Sequence, residues 1–309
     1  MDMSRINRRK FGQIALAGMG ATLLPSCERV AQIDTPVAPP MINSTFRGVT
    51  IGAQSYSFRT LPLEEAIQGY ASAKIGLCEL YSGHLQPKNL VAAESAAARR
   101  EQQRTWNETA SLDEMEAGGN KFRGVGGEIY AFMYSFREDF SEIEIEHGFE
   151  MAKALGAKVI TASSNVSTAK RIDPYAKKHK MRVGMHNHSR IVENEFATPA
   201  DFDNARRGMS EYIAINLDIG HFTAANFDAV DYIDKHHDDI LTLHVKDRKK
   251  DQGENVPFGQ GDTPIKEVLA LLRDKQYKIP ANIEYEYEGE DALVEVKKCF
   301  EYCKRALLS

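Results

Sequence analysis

Four of the nine histidines, His186, His188, His221 and His244, fall in one stretch that also holds Asp218 and Lys246, with Glu284 following. Imidazole nitrogens mixed with carboxylate oxygens suit Mn²⁺, Zn²⁺, Co²⁺ or Fe²⁺ better than Mg²⁺ or Ca²⁺, which prefer all-oxygen cages. A lone histidine of this kind is more often a hydrogen-bonded surface group. The conjunction is what points to a metal site. In extended chain alternate residues share a face, so His188 lies on the side of His186, and Glu286 on the side of Glu284. Either glutamate is eligible as a ligand on this ground. Glu79 and Glu128 offer further carboxylates for acid/base work or for holding hydroxyls. Lys246 offers an ammonium for a substrate oxygen, or for its neighbour Asp247. Tyr56, Phe58, Tyr130 and Phe222 are aromatic and could form the apolar wall of a pocket, although core filling is the commoner use of such side chains.

These residues need a scaffold that brings distant segments together. Eight strands are expected, at 48–54, 76–81, 128–132, 159–162, 183–188, 213–218, 240–245 and 282–287, and each site residue falls near a strand end. Amphipathic helices are expected between them at 63–73, 142–154, 200–208, 229–235 and 265–275. Thr198-Pro199 and Thr263-Pro264 are helix-start signals, with proline in the first turn. Strand–helix alternation of this length predicts a single-domain α/β protein, a (β/α)8 TIM barrel, with its site at the C-terminal ends of the strands. No G-x-G-x-x-G follows the first strand, which disfavours a dinucleotide-binding open sheet. The polar, alanine-rich stretch from Gln86 to Gly119 is expected to form a helical excursion over the active face.

The chain has 309 residues, 42% hydrophobic and 27% charged, which suits a large soluble core. Four scattered cysteines, Cys27, Cys78, Cys299 and Cys303, do not make a disulfide framework. The formal charge is −5, and the first 27 residues hold Arg5, Arg8, Arg9 and Lys10 against Asp2 alone, so the body is more acidic still. That balance disfavours nucleic acid as a partner. A basic start followed by a short apolar run from Ile14 to Leu24 predicts an export signal over residues 1–27. Asn7-Arg8-Arg9-Lys10-Phe11 resembles a twin-arginine export motif, and twin-arginine substrates cross already folded. Leu24-Pro25-Ser26-Cys27 resembles a lipobox with an atypical proline. Cys27 is then either a lipid-bearing anchor, the one membrane contact expected, or an ordinary cysteine in a cleaved leader. Residues 28–45 are expected to be a linker, with the folded body, 46–309, destined for the periplasm or a membrane anchor.

Leu217-Asp218-Ile219-Gly220-His221-Phe222, Leu243-His244-Val245-Lys246-Asp247 and Ile283-Glu284-Tyr285-Glu286, in this order, resemble the xylose isomerase-like TIM barrels. That group spans sugar phosphate isomerases/epimerases, keto-sugar 3-epimerases, inosose dehydratases and endonuclease IV. Gly76–Tyr81 and Glu128–Phe132 are similar to the second and third strands of the family. The resemblance implies a divalent metal held by His186, Asp218, His244 and Glu284, and favours Glu284 over Glu286. It also implies that His221 binds a substrate oxygen. One departure stands out: the epimerases carry a glutamate where this chain has Met185-His186-Asn187-His188. Two carboxylates facing each other across a substrate can move a proton from one face to the other. A histidine that binds metal cannot also act as base through the same nitrogen, which leaves His188 as the free imidazole.

The resemblance implies a metal-dependent isomerase or epimerase acting on a keto-sugar or polyol through an enediolate. A metal chelating a carbonyl and its neighbouring hydroxyl makes the adjacent proton removable, and a tuned histidine or glutamate removes it. The enediolate is then reprotonated at the same carbon, reprotonated at the next, or expels a β-substituent as in a dehydratase or a lyase acting on a 3-keto-glycoside or inosose. An endonuclease IV-type nuclease would need histidines where this chain has Glu79 and Glu128. A non-catalytic sugar-binding barrel would need no metal ligands. Barrels of this kind can pair, so a homodimer stays open.

Overall fold

The computed structural model describes residues 39–87, 90 and 94–309. The expected export segment, Cys27 included, and residues 28–38 of the expected linker lie outside the described residues. Eight parallel strands run in chain order around a closed barrel: β1 Val49–Gln54, β2 Leu77–Tyr81, β3 Glu128–Met133, β4 Val159–Ala162, β5 Val183–His186, β6 Ile213–Asp218, β7 Ile240–Val245 and β8 Ala281–Ile283. Closure is the pairing of β8 with β1, where Ala281, Asn282 and Ile283 face Ile51, Gly52 and Ala53. The expected (β/α)8 barrel is therefore the fold.

Most strand residues are buried, as parallel strands between a filled interior and a ring of helices must be. The helices are α1 Leu63–Ala73, α2 Ala96–Thr109, α3 Leu112–Gly124, α4 Glu142–Leu155, α5 Ala169–His179, α6 Pro199–Arg206, α7 Ile219–Ala224, α8 Ala229–His236, α9 Ile265–Lys275 and α10 Ala292–Leu308. Local chemistry sets several boundaries. Ser141 with Glu144 and Thr198 with Asp201 form capping boxes that satisfy the first N–H groups of α4 and α6. Among the described residues no helix is long and apolar enough to cross a membrane. Cys78, Cys299 and Cys303 are buried and free.

The folded body starts earlier than Phe46. The Ile42 N–H donates to the Gly126 carbonyl at 2.7 Å, and buried Ser44 accepts from the Gly76 N–H at 3.1 Å. Thr45–Phe46 then pairs antiparallel to the start of β1. Two expected strands end sooner. After His186 the chain leaves the sheet, and the His188 N–H donates to the Phe196 carbonyl. After Ile283 the Tyr285 N–H goes to the Ser57 hydroxyl.

The 86–119 excursion divides into two parts. Helix α3 packs on the barrel wall against α4, whereas α2 lies at the mouth and contributes Gln103 to the cavity there. An ion-pair cluster fixes α2. Fully buried Glu144 accepts from Arg100 Nη1 and Nη2 and from Asn107 Nδ2, each at 2.9 Å, and Arg100 Nε donates to Asp139 at 2.6 Å. Glu144→Ala would leave the guanidinium and amide without their acceptor. We expect a loss of about 3 kcal/mol of stability, read as a lowered urea midpoint, with amide exchange in α2 rising most.

Candidate active site and metal centre

The barrel interior carries a polar layer directly beneath the mouth. Glu79, fully buried on β2, accepts from Gln54 Nε2 at 3.1 Å, Thr161 Oγ1 at 2.6 Å and Asn282 Nδ2 at 3.0 Å. Its Oε1 also meets His244 Nε2 at 2.8 Å. A carboxylate only accepts, so the proton between them sits on Nε2 and His244 presents Nδ1 to the mouth, 3.1 Å from Glu284 Oε2. Burial opposes a charge on this ring, but the carboxylates of Glu79 and Glu284 on its two sides push its pKa well above the ordinary histidine value.

Above this layer the four residues expected as ligands come together. One donor atom from each of His186, Asp218, His244 and Glu284 lies within 4.8 Å of the others. His186 Nδ1 and Nε2 are buried without a hydrogen-bond partner, and Asp218 Oδ2, His244 Nδ1 and Glu284 Oε2 meet one another and Lys246 only as ion pairs, without a hydrogen bond. Orphaned buried donors and acceptors are costly, and a divalent ion satisfies such a set at once. Two imidazoles and two carboxylates therefore fit Mn²⁺, Zn²⁺, Co²⁺ or Fe²⁺. The remaining His244 nitrogen, held by Glu79, has the support that metal-binding histidines usually receive from a carboxylate.

Lys246 supplies a fixed charge beside this cluster. Its buried ammonium stands 2.8 Å from Glu284 Oε2 and 3.1 Å from Asp218 Oδ2, and it donates to Glu286. Burial works against its charge, but these three carboxylates hold its pKa far above the ordinary lysine value. Its alternative expected partner, Asp247, instead accepts from the N–H groups of Gly259, Gly261 and Thr263 and ties down the following loop. A side chain at Gly220 would collide with Lys246, which gives a packing reason for glycine in Asp218-Ile219-Gly220-His221.

Two histidines remain. Arg248 Nη1 donates to His221 Nδ1 at 2.7 Å. His221 Nε2 in turn faces the Lys246 ammonium at 3.2 Å and Asp218 at 3.9 Å, so each ring nitrogen meets a side chain that can only donate. Burial holds the His221 pKa well below the usual range. His188 lines the cavity with its ring centroid 5.1 Å from that of His186, and its Nε2 meets the Ser163 hydroxyl at 3.2 Å. Desolvation, and then the neighbouring His186, lower its pKa to about 4.

Tyr56 lines the cavity as expected, edge-on to Tyr81 at 5.1 Å. Three expectations are corrected. Glu128 opens β3 at the end opposite the mouth and is exposed, because the strand runs from Glu128 to Met133. Phe222 is fully buried against Phe227 and Tyr232, because on α7 it turns into the core while His221 turns to the cavity. Glu79 lies beneath the site as a support for His244 and does not line the cavity. Arg248 was missed, although its signal was present: His244, Lys246 and Arg248 alternate along one face.

Comparison with known proteins bears on the fold. The solved structure of a 3-keto-D-glucoside 4-epimerase from E. coli is similar at 14% identity, covering 83% of this chain and 99% of that one, with a TM-score of 0.61. A probable 3-DHS dehydratase involved in petrobactin synthesis from Bacillus anthracis matches at 17% identity, 82% and 98% coverage and a TM-score of 0.60. A sugar phosphate isomerase/epimerase from Parabacteroides distasonis matches at 16% identity, 88% and 100% coverage and a TM-score of 0.60. At these identities the likeness is one of fold. No curated protein matches the chain. The family model described as xylose isomerase-like TIM barrel matches residues 136–303, more than half of the chain, and with the closed barrel around it this chain belongs to the xylose isomerase-like TIM barrel family.

Proposed function

We propose that this protein is an exported, divalent-metal-dependent enzyme that enolises a keto-sugar or polyol, as an isomerase or epimerase. The observation that carries the reading is the buried His186, Asp218, His244 and Glu284 cluster with an unligated imidazole, His188, beside it in the same cavity. When bound there, a divalent ion supplies Lewis-acid polarisation of a carbonyl and its neighbouring hydroxyl.

The chain's own residues supply the rest. His188 is the base: it is outside the ligand cluster, it lines the cavity, and the Ser163 hydroxyl holds its Nε2. His221 binds a substrate oxygen, with Arg248 holding its ring through Nδ1. The Lys246 ammonium lies where negative charge would develop on a substrate oxygen, and its three carboxylate neighbours keep it protonated.

A second reading, elimination from a 3-keto-glycoside or inosose, is favoured by one observation. The strand-five position holds His186 where an epimerase carries a carboxylate, and the carboxylates that line the far side of the cavity, Glu138 and Asp139, are engaged by Ser167 and Asn194 and by Arg100. Dehydratase and epimerase names among the similar folds are compatible with either outcome.

Three results are expected. Asp218→Ala or Glu284→Ala would remove most bound metal, and Glu79→Gln would weaken binding roughly 10–100-fold, each read by competition with a chromophoric chelator. Full metal occupancy in the first pair would mean that the ligands are elsewhere. His188→Ala would keep its metal and lose on the order of 10²–10⁴ in turnover. In D₂O, deuterium entering beside the carbonyl of an otherwise intact keto-sugar, followed by proton NMR, would establish isomerase or epimerase chemistry. Release of the β-substituent would establish a lyase, and no exchange with metal bound would overturn enolisation.

Export and lipidation rest on residues 1–27 alone. A chain carrying Cys27→Ala that stays attached to membranes would show that this thiol is not the anchor.

A further inference from the structure

The metal cluster occupies one side of the barrel mouth, since its ligands lie on β5, β6 and β7 and just after β8. The cavity does not stop there. It has a volume of about 970 Å³ and extends across the segments that follow β2, β3 and β4 as far as Gln103 on α2. Sites of roughly 300–1,000 Å³ typically enclose drug-sized ligands, well beyond one sugar ring. A ring chelated at the cluster leaves the β2–β4 side unfilled.

That side is built for contact. Among the described residues, the Gln103 amide and the Arg137 guanidinium have no hydrogen-bond or ion-pair partner, and both line the cavity. Ser164 Oγ lines it too, buried and without a partner. Tyr56 and Tyr81, edge-to-face at 5.1 Å, present ring surface to the same space. The charges nearby balance. Asp139 is paired with Arg100, and Arg137 is followed directly by Glu138, which accepts from Asn194 and Ser167. An anionic group at Arg137 would share the cavity with the Glu138 and Asp139 carboxylates. Free amide, hydroxyl and guanidinium donors beside aromatic faces instead suit an uncharged ring carrying hydroxyls.

The geometry points to a second-ring subsite on the β2–β4 side of the mouth, so that the substrate is an uncharged keto-disaccharide or keto-glycoside. The inference rests on the enolisation reading for which ring meets the metal. It names the far ring and the side chains that hold it, Gln103, Arg137 and Ser164 with Tyr56 and Tyr81.

The test is titration calorimetry of the metal-loaded full chain with 3-keto-glucose and with 3-keto-trehalose, alongside deuterium exchange for both sugars. We expect 3-keto-trehalose to bind at least tenfold more tightly. The double variant Gln103→Ala/Arg137→Ala would remove most of that advantage and leave affinity and exchange for 3-keto-glucose unchanged. Both substitutions are outside the core, and equal circular dichroism and metal content would show the variant folded. Equal affinity for the two sugars, loss of both in the variant, or no binding of either sugar would overturn the subsite. Tighter binding of 3-keto-glucose 6-phosphate that disappears with Arg137→Ala would overturn it in favour of an anion site. Absence of exchange with the affinity difference intact would overturn enolisation alone and leave the subsite standing.

Discussion

One buried carboxylate holds the interior together. Glu79 accepts hydrogen bonds from residues on β1, β4, β7 and β8 while standing on β2, so a single side chain links five of the eight strands. A charge in that position is costly unless each oxygen is satisfied, and here four donors converge on two oxygens. The register of five strands and the satisfaction of this group are thus one condition. The same carboxylate sets the orientation of His244, so the fold and the candidate metal centre share a support.

Above that layer, the site is governed by charge balance. Buried Asp218 and Glu284 converge with the part-exposed Glu286, and the Lys246 ammonium is placed among them. Arg248 adds a second cation, but spends its donors on Ser189, the Gly253 carbonyl and the neutral nitrogen of His221. The two cations do different work. One neutralises carboxylates, and the other anchors a histidine ring to the loop at Gly253. Asp247, between them in sequence, points away to hold the 259–263 loop, as alternation along the chain requires.

Much of this was legible in the residues, for reasons that differ from case to case. Strand–helix alternation survives in sequence because parallel strands are largely apolar and the helices carry caps, so the expected bounds of β4, β6 and β7 coincide with the observed ones. The candidate ligand cluster was approachable because its imidazoles and carboxylates fall near strand ends, and the resemblance singled out the four that meet. Glu128 misled because a carboxylate at the edge of an apolar run looks the same at either end, and only the strand direction tells mouth from base. Phe222 misled because neighbouring residues on a short helix face opposite ways. The role of Glu79 was illegible because its donors, Gln54, Thr161, His244 and Asn282, are scattered over the whole chain and meet only when the barrel closes. Helix α5 escaped because Pro174 lies inside it, and proline usually argues against a helix.

Helix α2 belongs to none of the eight repeating units. It is inserted between β2 and α3 and fastened to the top of α4 through Arg100 and Glu144. Its residues carry no ligand and touch no strand pairing, yet it bounds the cavity that the ligands share. The width of the mouth is therefore encoded in a segment that can lengthen, shorten or change sequence while the strands and the ligand set stay constant. In a lineage built on this barrel, the size of what enters and the reaction performed on it can diverge separately.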